Sequence, residues 1–239
     1  MTDPVSGLFD RIEATWPAAA CHGVGPWTLR EGRGGGKRVS SVTAKPGWHP
    51  DDIEQAEEAC RSLGQMPLFQ IKPEEALLDK VLADRGYRKI DPVDVLSGPV
   101  APLTADLPRL AALPCWPPLA VQAEIWAAGG IGPARLAVMD RAAEPKTALL
   151  GRHDDRPVAT AFVSIAGKTA VLHALEVSRE ARRKSVGRTM MQAAANWAAR
   201  HDARDLAVLV VSDNKAAQTL YAGLKMRPVG HYHYRTWKG

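Results

Sequence analysis

The sequence predicts an α/β fold built on a mixed, largely antiparallel central sheet that is flanked by helices. Three apolar segments within residues 147–177 follow one another with only short turns between them, which is typical of antiparallel strands. A helix, a strand, a second helix and a last strand come next, so helices are expected to pack on the sheet. The length of 239 residues suits two domains of modest size.

Composition excludes several classes of protein. Hydrophobic residues make up 46% of the chain and charged residues 24%, as in a globular protein with a packed core. No apolar run approaches the roughly 20 residues that cross a bilayer, and the N-terminus lacks a signal-peptide pattern. We therefore expect a cytoplasmic protein with no membrane partner. Cys21, Cys60 and Cys115 are scattered without metal-ligand spacing, so no metal site is predicted.

The net charge of +5 would permit nucleic-acid binding, but the basic residues are spread along the chain. The sequence shows no zinc finger, no RNP-like aromatic run and no recognition helix. Nucleic acid is therefore not an expected partner. The densest basic cluster lies at residues 179–188, which favours a small anionic ligand instead.

The first hundred residues alternate between short helices and strands. Predicted helices cover 7–16, 53–63 and 73–86, and predicted strands cover 26–31, 67–71 and 87–98. The glycine-rich segment 32–38 lacks the spacing of a Walker sequence, and an apolar helix does not follow it. It is therefore interpreted as a hairpin loop.

A proline-rich segment at residues 98–119 is the best candidate for a domain boundary. Six of its residues are proline, which favours extended or turn structure. The predicted domains are residues 1–100 and 101–239. In the second domain, two helices separated by Gly129 and Gly130 precede the three strands.

The basic turn between the strand ending at Val177 and the next helix carries the clearest chemical signal. Backbone N–H groups in the first turn of a helix have no intrahelical partner, and the helix dipole adds partial positive charge there. Full positive charges are added by Arg182, Arg183, Lys184 and Arg188. This arrangement predicts a site for a phosphate-bearing ligand, such as a pyrophosphate.

The order of elements and two motifs resemble the GNAT acyltransferase superfamily over roughly residues 105–239. The family's cofactor loop reads Gln or Arg, two residues, Gly, one residue, and Gly or Ala. The chain has Arg182-Arg183-Lys184-Ser185-Val186-Gly187 there. Ser185 replaces the first glycine, and if that position needs a positive φ, the serine costs about 1–2 kcal/mol.

A second motif of the family is an Asn after the fifth strand and a Tyr one helix later. The chain has Asn214 and Tyr221, which lie two helical turns apart and can face one cleft. The resemblance implies an N-acyltransferase that passes an acetyl group from acetyl-CoA to a primary amine of a small molecule or peptide. The implied cofactor-binding residues are Val177, Arg182, Arg183, Lys184, Ser185, Val186, Gly187, Arg188 and Asn214.

Two residues are implied as catalytic. Tyr221 is the candidate acid that protonates the leaving thiolate, and Glu176 is the candidate base. Simple alternation along the strand puts His173 and Glu176 on opposite faces, and Glu176 is favoured over His173 because a buried carboxylate needs a cleft or a cation. If the amine loses its proton through a water chain, neither residue is essential as a base.

The main alternative is a non-catalytic protein that binds acyl-CoA and acts as a regulator or sensor. Departures from the family pattern, above all Ser185, motivate it. The acceptor, the acyl-chain length and the oligomeric state are left open by the sequence.

The first domain resembles a degenerate second copy of the same fold. Residues 67–97 share with residues 208–234 the order strand, helix, Gly-aromatic pair or its substitute, and strand. Alignment of Tyr87 with Met226 brings Leu82 opposite Tyr221. The first half therefore lacks both the tyrosine and the basic loop, and it is expected to be non-catalytic.

Overall fold

The computed structural model describes residues 4–237, and these form seven α-helices and eleven strands. The helices are α1 (Pro4–Thr15), α2 (Ile53–Ser62), α3 (Ala76–Asp84), α4 (Ala120–Ala128), α5 (Pro133–Arg141), α6 (Val186–Arg200) and α7 (Lys215–Gly223). The strands are β1 (Ala20–Val24), β2 (Trp27–Glu31), β3 (Val42–Ala44), β4 (Leu68–Ile71), β5 (Arg88–Pro99), β6 (Ala112–Cys115), β7 (Lys146–His153), β8 (Arg156–Ala166), β9 (Thr169–Val177), β10 (Asp205–Val211) and β11 (Arg227–Thr236). Within this part of the chain, no helix has the length and apolarity that a membrane span requires.

These elements form two compact units, each with its own hydrophobic core. The first unit contains residues 4–16, 95–210 and 214–229, and the second contains residues 17–94, 211–213 and 230–237. The main division lies between residues 94 and 95, whereas the boundary predicted from the sequence lies between residues 100 and 101. In addition, the structure assigns α1 to the first unit and most of β11 to the second.

The sheet of the first unit has the strand order β5-β10-β9-β8-β7-β6. Strands β6 to β9 are antiparallel neighbours, whereas β9 and β10 are parallel because α6 carries the chain back to the same end of the sheet. The predicted mixed and largely antiparallel sheet, flanked by helices, is confirmed. The proline-rich segment contains the edge strand β6, and an edge position tolerates Pro114.

Helices cover both faces of this sheet. Ala161 of β8 and Leu172 of β9 belong to one hydrophobic cluster with Met190 of α6 and Tyr221 of α7. Phe162, the next residue along β8, points to the other face, where its ring contacts that of Trp16 after α1 at a centroid distance of 6.2 Å. The candidate site lies in this unit.

The sheet of the second unit has the order β1-β2-β3-β4-β11-β5. The pair β3 and β4 is parallel, and α2 connects the two strands. Residues 32–38 form turns and the start of a short 3₁₀ helix, consistent with a loop. A glycine is required at position 32, since a Cβ there would lie 1.9 Å from Ser40 Oγ.

A carboxylate ties β11 to α3 inside the second unit. Asp79 Oδ1 lies 2.6 Å from His233 Nε2 and accepts a hydrogen bond from Arg235 Nε at 2.7 Å. The bond from Arg235 holds the pKa of Asp79 down at about 2, and burial lowers the pKa of His233 below its ordinary value. The charges of this cluster are therefore compensated internally.

Candidate active site

A gap opens in the sheet where β9 and β10 diverge. The two strands pair only from Thr169 to Leu172 on β9 and from Asp205 to Val208 on β10. Beyond Leu172, β9 continues to Val177 beside β8 alone. The gap therefore exposes one edge of the last part of β9, and an extended ligand could pair with that edge as an added strand.

A β-bulge in β9 decides what faces the gap. His173 lies opposite Phe162 and Glu176 lies opposite Thr160, so β9 has one more residue than β8 in this interval. Ala174, inside the bulge, has φ 51°. Because residues directly opposite share a face, His173 and Glu176 lie on the same face of the sheet. The predicted alternation, which separated them, is wrong because it assumed a regular strand.

The peptide group of Val177 faces the gap. Ser178 N–H donates to Val158 O at 2.8 Å, and neighbouring residues of an antiparallel strand turn their peptide groups to alternate sides. The N–H and C=O of Val177 therefore point away from β8. The carbonyl is held by Arg182 Nε at 3.0 Å, which leaves the N–H of Val177 available to a ligand in the gap.

The loop after β9 presents a row of backbone donors. The N–H groups of residues 183–188 donate no hydrogen bond to any group within residues 4–237, and α6 has no acidic residue in its first turn. Arg183 and Ser185 both have φ 62°. Ser185 thus adopts a left-handed conformation, which glycine adopts more readily, at a cost of about 1 kcal/mol. The loop keeps the shape of an anion site.

The four predicted cationic side chains have different roles. Arg182 Nη2 donates to Glu176 Oε1 at 3.1 Å, and Arg188 Nη2 donates to Gly223 O at 3.0 Å. Both side chains therefore form hydrogen bonds within the protein. Arg183 and Lys184 are exposed and form no ion pair within residues 4–237. Of the four, these two therefore have no bond to the described protein to give up on binding an anion, and the cofactor-binding roles of Arg182 and Arg188 stay predictions.

Gly187 lies where α6 approaches α7. A Cβ at this position would lie 3.2 Å from Leu220 Cδ2, closer than an ordinary contact. Glycine here therefore serves helix packing, while its N–H remains among the free donors of the first turn. Val186, beside it, is buried in the core and anchors the start of α6.

The candidate base is partly enclosed. The side chain of Glu176 is 19% exposed, and its charge is compensated by Arg182. Gly129, at the end of α4, gives it room, since a Cβ there would lie 2.5 Å from Glu176 Cδ. His173 lies 3.0 Å from Thr15 Oγ1 and its ring packs 4.9 Å from that of Trp16, so His173 is fixed within the core.

The two residues associated with α7 are brought to one helix as predicted. Asn214 caps α7, because its Oδ1 accepts the N–H of Ala217 at 3.1 Å. The side chain of Tyr221 is buried, with 5% exposure, and its hydroxyl forms no hydrogen bond within residues 4–237. Burial raises the pKa of Tyr221 to about 12, so the phenol is protonated at neutral pH.

Sequence reasoning missed the contribution of α4. Trp126 Nε1 donates to Ala174 O at 2.7 Å, and Gln122 Nε2 donates to Thr160 Oγ1 at 3.3 Å. The available signal was the spacing of four residues between Gln122 and Trp126, two hydrogen-bonding side chains on a helix that has Glu124 as its one charged residue. Among residues 4–237, no group of three His, Cys, Asp or Glu side chains is placed to hold a metal ion.

A parallel strand pair that diverges beside a basic helix N-terminus, within a largely antiparallel sheet, defines the GNAT class of acyltransferase fold. Residues 109–225 match the acetyltransferase (GNAT) family. This matched region belongs to the GNAT superfamily, and the protein is an N-acetyltransferase of that type.

The similarity to other proteins extends beyond residues 109–225. The uncharacterized N-acetyltransferase YobR of Bacillus subtilis is 28% identical over 237 residues, which cover 93% of this chain and 94% of YobR. A GCN5-related N-acetyltransferase from Kribbella flavida shares the fold with a TM-score of 0.74 at 16% identity, over 100% of this chain and 97% of that one. A tandem GNAT protein from the clavulanic acid biosynthesis pathway gives a TM-score of 0.59 at 14% identity, over 82% and 74% of the two chains.

Proposed function

We propose that this protein transfers an acetyl group from acetyl-CoA to a primary amine of a small molecule or peptide, by direct attack of the amine on the thioester carbonyl. The observation that carries the proposal is the row of free N–H groups at residues 183–188, placed at the end of the gap that the N–H of Val177 faces. A pyrophosphate and an extended arm need these two features together.

The residues fit the cofactor. The N–H groups of residues 183–188 would bind the pyrophosphate, and Arg183 and Lys184 would add charge. The edge of β9 at Val177 would bind the pantetheine arm. Asn214 uses its carbonyl oxygen to cap α7, so its amide nitrogen is the part assigned to the cofactor. Bound acetyl-CoA supplies an activated acyl group with a thiolate as the leaving group.

Three residues of the chain act on the reacting groups in this proposal. The N–H of Val177 polarises the thioester carbonyl. Glu176 accepts the proton that the amine loses as the new C–N bond forms. Tyr221 gives its phenolic proton to the sulfur as the C–S bond breaks, and solvent then reprotonates Tyr221. Its raised pKa keeps the proton in place until that step.

We further propose that residues 1–100 derive from a degenerate, non-catalytic copy of the fold in residues 101–239. In both halves, three antiparallel strands lead through a helix into a strand parallel to the third, and then through a helix into a last strand. Leu82 and Tyr221 are each the seventh residue of a nine-residue helix. The fold similarity to a protein described as a tandem GNAT supports this origin. The cytoplasm is the proposed location.

Calorimetric titration with acetyl-CoA, followed by thiol release against a panel of primary amines, tests the catalytic proposal. We expect saturable binding and thiol release that depends on the acceptor. A variant with Arg183→Ala and Lys184→Ala should bind acetyl-CoA more weakly, while Arg141→Ala, an exposed arginine on α5, serves as the matched control. Absence of binding would refute the proposal.

The same measurements address the alternative function. Tight binding without thiol release for any amine would indicate an acyl-CoA sensor. If thiol release survives Glu176→Gln with unchanged kcat, the amine loses its proton through water and not to Glu176.

A further inference from the structure

The bulge in β9 depends on a backbone conformation that its residue does not favour. Ala174 has φ 51°, in the left-handed region that is unfavourable for any residue with a Cβ. Without the extra residue, Leu175 would lie opposite Thr160, and the peptide groups from Leu175 to Val177 would exchange sides. The orientation of the Val177 N–H towards the gap therefore depends on interactions that stabilise the left-handed conformation of Ala174.

Helix α4 supplies that support at two points. Trp126, which is fully buried, donates from Nε1 to the carbonyl of Ala174 at 2.7 Å. One turn earlier, Gln122 donates from Nε2 to Thr160 Oγ1 at 3.3 Å, and its Oε1 accepts the N–H of Leu119 at 2.9 Å. Because Thr160 lies opposite Glu176, α4 is bonded to both strands around the bulge.

The end of the same helix contacts the candidate base. Gly129 follows α4 and lies so close to Glu176 that a Cβ could not be accommodated without movement. The position of α4 thus affects both groups at the mouth of the gap: the N–H of Val177 through the bulge, and the carboxylate of Glu176 through Gly129.

We infer that Trp126 is a positioning residue for acyl transfer. Its indole N–H holds the carbonyl of Ala174 and so maintains the bulge, which turns the N–H of Val177 into the gap and sets the face of Glu176. Trp126 acts through Ala174 and not on the substrate. The kinetic consequence rests on the proposed reaction with acetyl-CoA, whereas the hydrogen bond to Ala174 can be tested without activity.

Trp126→Phe removes the N–H donor and keeps an aromatic ring. Trp27→Phe is the matched control, because Trp27 is also fully buried and its Nε1 donates to the carbonyl of Asp52 at 2.8 Å, in the second unit. Hydrogen exchange of the peptide that spans residues 172–178 should be about tenfold faster in Trp126→Phe and unchanged in Trp27→Phe, since a lost hydrogen bond favours local opening. Equal exchange in the two variants would overturn the inference.

The kinetic readout separates positioning from general stability. Trp126→Phe should lower kcat about tenfold and leave KM for acetyl-CoA within about twofold, because the donors of the loop are untouched. Adding Ala174→Gly should restore most of the lost kcat, since glycine adopts φ 51° without help. Unchanged kcat in Trp126→Phe, or no restoration by glycine, would overturn the positioning role.

Failure of the proposed function has a different signature. If the wild-type protein neither binds acetyl-CoA nor releases thiol, the catalytic proposal fails. The exchange measurement then decides alone whether Trp126 holds the bulge.

Discussion

The segments that lead into α6 and α2 occupy corresponding places in the two units, but they differ as anion sites. At α2, Asp52 Oδ2 accepts the N–H of His49 at 2.7 Å, and Asp51 and Glu54 add negative charge nearby. At α6, the N–H groups of residues 183–188 have no partner within residues 4–237, and the first turn has no acidic residue. A helix dipole is common to both. What distinguishes α6 is that the protein does not neutralise its own helix end.

The helices α3 and α7 show the same contrast between a shared scaffold and a changed group. Tyr87 N–H bonds to Leu82 O at 2.9 Å, and Met226 N–H bonds to Tyr221 O at 3.1 Å, so both helices end in the same way. The side chain of Leu82 packs in the core of the second unit and has no polar group, whereas Tyr221 has a protonated phenol. The two helices therefore share their backbone arrangement and differ in the side chain, Leu82 or Tyr221, at the corresponding position.

The largest effect is expected where the two helices differ. Tyr221→Phe should lower kcat by roughly 10²- to 10⁴-fold, since general acid catalysis contributes an effect of that size, with little change in KM for acetyl-CoA. Steady-state thiol release measures both constants. Tyr87→Phe is the control: its hydroxyl donates to Glu57 Oε1 at 2.8 Å, so stability falls and kcat does not. Full activity of Tyr221→Phe would show that the two helices do not differ in chemistry.

Copying the acidic character of α2 into α6 should abolish most cofactor binding. Ser185→Asp tolerates the left-handed conformation and can cap α6, but its charge would repel a pyrophosphate. The Kd for acetyl-CoA is expected to rise about 100-fold, compared with only a few-fold for the neutral isostere Ser185→Asn. Calorimetry on the two variants measures the difference. Equal affinities would mean that charge at this helix end is not what separates the units.

The second unit should respond to acid through its internally compensated charges. The pKa of Asp79 is lowered to about 2, so its stabilising effect is present above about pH 4 and is lost as the pH falls towards 2. The pKa of His233 is lowered from 6.5, so the unfolded chain takes up that proton first and stability also falls as the pH drops below 6.5.

Asp79→Asn tests this directly. The variant should lose about 1–2 kcal/mol of unfolding free energy at pH 7 and show less acid dependence between pH 4 and 2. Urea unfolding followed by circular dichroism measures both. Affinity for acetyl-CoA at pH 7 should be unchanged in the folded variant, and a parallel loss of affinity would contradict the separate roles of the two units.

The smallest effect concerns the turns that end α3 and α7. Gly86 has φ 91° and Lys225 has φ 57°, so the two residues occupy the same left-handed position in the two turns. Lys225→Gly should raise the free energy of unfolding by about 0.5–1 kcal/mol, and Gly86→Lys should lower it by about as much. A Cβ at Gly86 meets no atom within 4 Å, so backbone conformation alone is tested. Thermal unfolding of the pair gives the answer.

Local sequence signals predicted the fold well, because they depend on neighbours in the chain, whereas the cofactor-binding role of the loop stays a prediction. The order of strands and helices follows from periodicity, and the loop from its charges and its place before α6. The replacement of the family's first glycine by Ser185 raised the question of a positive φ at this position, and Ser185 does have φ 62°. Catalytic roles for Glu176 and Tyr221 remain predictions.

Long-range contacts could not be predicted in the same way. The bulge at Ala174 arises from bonds to α4 and β8, far away in the chain, and it reversed the predicted relation of His173 and Glu176. The internal roles of Arg182 and Arg188 depend on which carbonyl or carboxylate lies within reach, and this is set by packing. Charge in a sequence predicts a basic site, but not which of its cations remain free.

Strand β11 has a consequence for how the protein is made and how it could have evolved. Residues 233–236 pair with β4 inside the second unit, although the rest of that unit consists mainly of residues 17–94. That unit cannot complete its sheet during synthesis until residues 230–236 have left the ribosome. For the same reason, the two halves of the gene could not be separated into two independent genes: a first half expressed alone would lack a strand and expose the edge of β4 to aggregation.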